Sequence, residues 1–144
     1  MNGVIQEAVT EEEIRRCFPV MSELRPELDE ETFLRAVTYQ REHEHYRLVY
    51  IELDGAPACV AGFRITHNLS ALRHLYVDDL VTAASRRRRG LAKTMLDWLE
   101  AEARRLECRS LQLDSGVQRH TAHRLYIGAG LDIVFYHFRK VFTP

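Results

Sequence analysis

The chain has 144 residues, enough for one domain with a core of its own. Its 20 Lys and Arg nearly balance 21 Asp and Glu, so no overall field draws it toward nucleic acid or an anionic membrane surface. Cys17, Cys59 and Cys108 are odd in number and far apart, which excludes a complete disulfide framework, and no segment is apolar for long enough to span a bilayer; a cytoplasmic protein is expected.

Val4 to Thr10 alternates weakly and reads as a first strand. Thr10 followed by Glu11, Glu12 and Glu13 is a capping-box pattern, and the helix it opens is expected to stop near Cys17–Pro19, because Pro19 has no N–H to donate. A second helix starts at Asp29-Glu30-Glu31-Thr32, with Phe33 and Val37 along one face. Tyr46–Leu53 and Ala58–Ile65 are rich in aromatic and β-branched residues, and Asp54-Gly55 between them is a hairpin signal. Leu72–Thr82 is a longer strand. From Arg88 to Leu106 the period changes: Leu91, Met95, Trp98, Leu99, Ala103 and Leu106 form one helical stripe, with Glu102 the charge inside it. Ser110–Asp114 is a short strand, Arg119–Ala129 a helix stopped by Gly130, and Ile133–Phe142 a final strand. No repeat or linker divides the chain, so a single domain spanning 1–144 is expected. A strand–helix–strand–helix–strand ending implies that the strands flanking the long helix run parallel.

The chemistry concentrates where the strand enters the long helix, at Arg86-Arg87-Arg88-Arg89-Gly90-Leu91-Ala92-Lys93. The first N–H groups of a helix lack intrahelical partners and its positive dipole end faces outward. Gly90 and Ala92 let a ligand approach that backbone, and arginines add charge-assisted donors, a combination suited to a pyrophosphate. A P-loop needs a second glycine before its Gly-Lys-Ser/Thr end, and a dinucleotide fingerprint needs three glycines; neither is present. A nucleic-acid site would need a broad basic face with interleaved aromatics, which do not adjoin the run.

At these residues the sequence resembles the GNAT superfamily of acyl-CoA-dependent N-acetyltransferases. Arg87-Arg88-Arg89-Gly90-Leu91-Ala92 matches its coenzyme loop, Gln/Arg-x-x-Gly-x-Gly/Ala, and Ala122, Leu125, Tyr126, Gly130 and Leu131 match its later motif in the same order. The resemblance implies an α/β fold of the GNAT type, a mixed and mostly antiparallel sheet with helices on both faces. It also implies acetyl transfer from acetyl-CoA to a primary amine by direct attack in a ternary complex, with no metal. Within it Leu80, Val81 and Thr82 pair with the pantetheine arm, while Arg87 to Lys93 hold the pyrophosphate. Arg119 stands where many members carry an asparagine against the coenzyme arm and can reach coenzyme oxygens, with His123 beside it. Tyr126 aligns with the donor to the leaving sulfur; since an ordinary phenol near ~10 is a weaker acid than a thiol near ~8.5, it acts by hydrogen bonding to a developing thiolate.

Asp78 and Asp79 lie on the strand that feeds the loop, and an acid there resembles the Glu-Asp pair of diamine and polyamine acetyltransferases. Successive strand residues point to opposite faces, so only one of the two is expected to look into a given cleft, attract a cationic amine and take its proton. His120 and His123 share a helical face, but no third ligand is spaced to complete a metal site. The acids at 11–13 and 29–31 suit a cationic acceptor but read first as helix starts. The acceptor class is a small or polyamine-like amine or a protein amine, without nucleic acid or membrane, and a homodimer is left open. A non-catalytic acyl-CoA-binding or regulatory module is the alternative function.

Overall fold

The first two helices start where the sequence supplies caps. In the computed structural model, which describes residues 3–144, Thr10 Oγ1 accepts from the Glu13 N–H at 3.2 Å and the Glu13 carboxylate accepts from the Thr10 N–H at 2.9 Å, opening α1 (Glu11–Leu24). Asp29 caps α2 (Glu30–His43) by accepting from the Thr32 N–H at 2.7 Å. The helix-start acids also meet a base: Arg15 pairs with Glu11, Glu30 and Glu31 at 2.8, 3.0 and 2.6 Å, joining the two helices.

The expected stop at Cys17–Pro19 does not occur, and α1 runs on through Pro19 to Leu24. A proline inside a helix costs about 3 kcal/mol. Ile14, Val20 and Met21 are buried on the face that packs against the sheet, and at roughly 1.5–3 kcal/mol each they outweigh that cost.

Among the described residues five strands form one sheet, β1 (Ile5–Glu7), β2 (Tyr46–Leu53), β3 (Ala56–Asn68), β4 (Leu72–Thr82) and β5 (Leu111–Leu113), in that spatial order. Neighbours are antiparallel up to β4, and β4 and β5 are parallel, joined through α3 (Leu91–Arg105). Asp54 and Gly55 both take positive φ, 52° and 81°, and Leu53 faces Ala56, so the hairpin forms where the Asp-Gly step predicts. Helices α1 and α2 cover one face, over Tyr46, Leu48, Tyr50, Val60 and Val81. Helix α3 covers the other, where its Trp98 meets Phe63 edge-on with ring centroids 6.0 Å apart.

Glu102, the charge inside the α3 stripe, has a structural role. Arg47 of β2 donates to it at 2.7 Å and to Glu7 of β1 at 2.9 Å, while the same guanidinium lies 5.0 Å from the Phe63 ring centroid. Arg105 also pairs with Glu102. The buried carboxylate is thus satisfied from both sides, and the arginines hold it below the usual range.

The structure falls into two compact units, one through Leu113 and a second at Asp114–Pro144. In the second, α4 (His120–Gly128) gives way to Gly130 at φ 91°. The expected strand at Ile133–Phe142 is not formed; residues 131–144 carry no helix or strand. A period-2 pattern specifies the faces of a strand, but a strand also needs a neighbour to take its N–H and C=O groups.

Candidate functional site

Strand β4 is interrupted once. Gly62 of β3 faces Asp79 while Phe63 faces Val77, which leaves Asp78 as the extra residue of a bulge. On its other side β4 pairs with β5 only at Leu75–Val77. From Asp78 to Thr82 it therefore has β3 on one edge and, among the described residues, no strand on the other. Before the bulge the Leu75 N–H donates to Ser110 beside β5; after it the Ala83 N–H donates to Ala58 on β3. The extra residue has reversed the alternation, so the peptide groups of Leu80 and Thr82 face the open edge. These groups can pair with an extended, amide-bearing ligand.

The open edge runs straight into an uncapped helix. A 3-10 turn at Ala84–Arg86 leads to Arg88 and Gly90, both left-handed at φ 66° and 74°, and Gly90 is the N-cap of α3 with no side chain capping it. The first intrahelical bond is Thr94 N–H to Gly90 O at 3.0 Å. The N–H groups of Leu91, Ala92 and Lys93 have no intrahelical acceptor. A Cβ added at Gly90 would meet nothing within 4 Å, so it is the left-handed backbone angle and not crowding that favours glycine there. Arg87, Arg88 and Arg89 are exposed around this end, whereas Arg86 is tied to Asp54 at 2.6 Å and Lys93 to Asp97 at 2.8 Å. Three exposed arginines thus immediately precede a positive helix end, with Arg87 Nε donating to Thr82 O at 3.5 Å, and such an end suits an anionic pyrophosphate.

Asp78 and Asp79 both point to the same face, against the expectation that only one would. The Tyr46 hydroxyl donates to Asp79 Oδ2 at 2.7 Å, and Arg25, just past α1, donates to Asp79 Oδ1 at 3.0 Å. Arg64 donates to both oxygens of Asp78, at 2.8 and 3.0 Å. Tyr46 and Arg64 are direct partners across β2 and β3 and so share a face; the bulge is what brings both acids to it. Burial, and secondarily the charge of Asp79, push the Asp78 carboxyl up, opposed by Arg64. Burial first, then Asp79, hold the Tyr46 phenol well above its ordinary value.

Arg25, Tyr46 and Arg64 were not singled out from the sequence. Gly62, a glycine inside a strand, was the available signal for a bulge or a close approach. Both hold: a Cβ at Gly62 would collide with the hydroxyl and ring of Tyr46. Gly62→Ala is expected to cost about 1–3 kcal/mol by overpacking, read from denaturant unfolding. The cost should shrink in a Tyr46→Leu background, where the colliding hydroxyl and ring are both gone; an equal cost in both backgrounds would show that Tyr46 is not the obstacle.

In the second unit, Arg119 is the N-cap residue of α4, with His123 and Tyr126 on the helix. The His123 Nε2 donates to Gly116 O at 2.8 Å, so this ring is engaged within its own unit, and His120 stands edge-on to it with ring centroids 6.3 Å apart. Tyr126 is the buried residue of the helix. The thiols of Cys17 and Cys59 are pushed up to about 12 and about 11 by burial, which keeps both protonated at neutral pH. Among the described residues, no three His, Cys, Asp or Glu side chains are grouped as a metal ion would require, and no helix is long and apolar enough to cross a membrane.

The model of the acetyltransferase (GNAT) family matches residues 8–130. An uncharacterized N-acetyltransferase of Bacillus subtilis strain 168, YhdJ, is 35% identical over 137 residues, covering 94% of this chain and 96% of its own. A crystal structure of a transcriptional regulator from Bacillus halodurans C-125 shares the fold with a TM-score of 0.86 at 16% identity, over 98% of this chain and all of that one. AAC(6')-Iy, in complex with the bisubstrate analogue CoA-S-monomethyl-acetylneamine, does so at 0.79 and 16% identity, over 97% of this chain and all of its own.

Proposed function

Because the chain belongs to the GNAT acetyltransferase family, we propose that it carries the acetyl group of acetyl-CoA to a primary amine by direct attack in a ternary complex. The observation that carries this reading is the open β4 edge running into the uncapped start of α3. The pantetheine arm pairs along Leu80, Val81 and Thr82. The pyrophosphate sits on the N–H groups of Leu91, Ala92 and Lys93, beside Gly90 and under Arg87, Arg88 and Arg89. Arg119 and His123 contact the coenzyme arm. The family match crosses the boundary between the two units, which supports their working as one acetyltransferase domain.

In the chemical step the amine nitrogen bonds to the thioester carbonyl carbon, the C–S bond breaks, and the electron pair leaves on sulfur. Asp78 takes the amine proton, directly or through water; its oxygens accept from Arg64 and keep further lone pairs free. Asp79, held by Arg25 and Tyr46, adds to the proton affinity of Asp78. Tyr126 donates to the developing thiolate, a role that rests on its place in the family's later motif. Three free cysteines, two of them buried, suit the cytoplasm.

Thiol release from acetyl-CoA, measured with a panel of polyamines, aminoglycosides and peptide amines, tests the reading. Turnover with at least one amine is expected; tight acetyl-CoA binding with no thiol release from any would favour a non-catalytic acyl-CoA module. Calorimetry tests the loop. A charge-assisted hydrogen bond is worth roughly 1.5–3 kcal/mol, so truncating Arg87 and Arg89 to Ala should weaken acetyl-CoA binding about ten- to a hundredfold or more. Unchanged affinity in the double variant would remove the loop from the site.

A further inference from the structure

Pro26 settles where α1 ends. A residue before proline is disfavoured from helical geometry, and Arg25 leaves the helix at φ −120° and ψ 68°. Its backbone closes the helix without help from the side chain: the Arg25 N–H donates to Met21 O at 2.9 Å, and Arg25 O accepts from the Leu28 N–H at 3.2 Å. The guanidinium is therefore not needed as a cap, and it binds β4 instead.

There it spans the bulge. Arg25 Nη2 donates to the main-chain oxygen of Asp78 at 3.0 Å, and Arg25 Nε donates to Asp79 Oδ1, also at 3.0 Å. Asp78 is the extra residue of the bulge, which the ladder leaves unmatched, so an outside donor to its carbonyl stabilises that conformation. A guanidinium fork suits two acceptors on successive residues, whereas a lysine ammonium is a point charge. The other ends of the acids are fixed from the sheet: Arg64 donates to both carboxylate oxygens of Asp78, and the buried Tyr46 donates to Asp79 Oδ2. The Asp79 side chain is 14% exposed and that of Arg25 41%, so the arginine reaches the acid from the rim. An ion pair with one partner so exposed adds little to stability, which leaves position as what Arg25 supplies.

We propose that Arg25 is a positioning residue of the active site, pinning the β4 bulge so that the Asp78 carboxylate faces the acceptor amine. This rests on the acetyl-transfer reading, in which Asp78 is the base. Around Asp78 stand Arg25 after α1, Glu44 after α2, Tyr46 on β2, Arg64 on β3, and Tyr76 and Asp79 on β4. The negative charges of Asp79 and Glu44 favour the protonated form of Asp78, and Arg25 compensates Asp79. Removing the Arg25 cation should therefore move the Asp78 titration upward.

Carbon-13 NMR of the Asp78 carboxyl, assigned by its loss in Asp78→Asn, reads the first effect in the protein without coenzyme or amine. Arg25→Met is expected to move the titration up by about one unit. Arg25→Lys keeps the charge and should leave it near the wild-type position. Kinetics with an amine that supports turnover read the second effect. The acid limb of kcat/KM should follow the NMR titration, and kcat should fall roughly ten- to a hundredfold in both variants, because an ammonium cannot hold both acceptors in place. A titration unmoved in Arg25→Met, or full turnover in Arg25→Lys, overturns the proposal whatever happens to Tm. A titration that shifts as expected in a protein that acetylates no amine upholds the clamp and removes the acetyl-transfer reading instead.

Discussion

Tyr126→Phe is expected to lower kcat by roughly 10²–10⁴-fold, the usual contribution of a general acid–base group, with acetyl-CoA affinity nearly unchanged. Phenylalanine keeps the ring and nearly all the buried area of this buried residue of α4 and removes only the hydroxyl. If that hydroxyl meets the leaving sulfur, its interaction strengthens as charge develops, so the loss falls on the chemical step and not on ground-state binding. A tyrosine that serves only as packing predicts the reverse pattern, a shifted melting temperature with turnover intact. Measuring kcat, acetyl-CoA affinity and Tm on the same variant separates the two, and full activity in Tyr126→Phe would falsify the role assigned here.

Asp78→Asn is expected to have a comparable effect on turnover, roughly 10²–10⁴-fold, with a distinct pH signature. As a base Asp78 must be ionised, so wild-type kcat/KM should fall as pH drops through its pKa. Burial raises that pKa, which places the acid limb above the ordinary aspartate value of about 3.9. In the asparagine variant the limb should disappear along with most of the activity. Stability moves in the opposite sense. The folded state holds this proton more tightly than the unfolded one, so Asp78 lowers stability as pH rises from its unfolded to its folded pKa. Asp78→Asn removes that slope, and Tm measured through the acid range on both proteins checks it. An acid limb that survives in Asp78→Asn assigns proton transfer elsewhere, and Asp79→Asn becomes the next variant to examine.

Gly90→Val probes the coenzyme cradle by a different route from the arginines. The left-handed angle at Gly90 opposes a β-branched residue although nothing occupies the space around it. Any loss of affinity would therefore come from the displaced backbone, a contribution the side-chain truncations leave untouched.

Local signals decided much of this protein. Thr10 and Asp29 as caps, Asp54-Gly55 as a hairpin turn, the stripe of α3 and the glycine stop after α4 all act within a few residues of chain. Their hydrogen bonds and dihedral preferences therefore appear in the sequence as fixed spacings. The uncapped start of α3, proposed here as the coenzyme loop, was legible for the same reason, since Gly90 acts through the backbone on which it sits. What required the tertiary structure were the outcomes that depend on partners distant in the chain. Helix α1 passes Pro19 because its apolar face packs on the sheet, and Glu102 is tolerated because Arg47, 55 residues away, reaches it. Asp78 and Asp79 share a face because a bulge opposite Gly62 reverses the alternation that a strand pattern assumes. Ile133–Phe142 has the alternation of a strand and forms none, because pattern chooses the faces of a strand while only a neighbouring strand can satisfy its peptide groups.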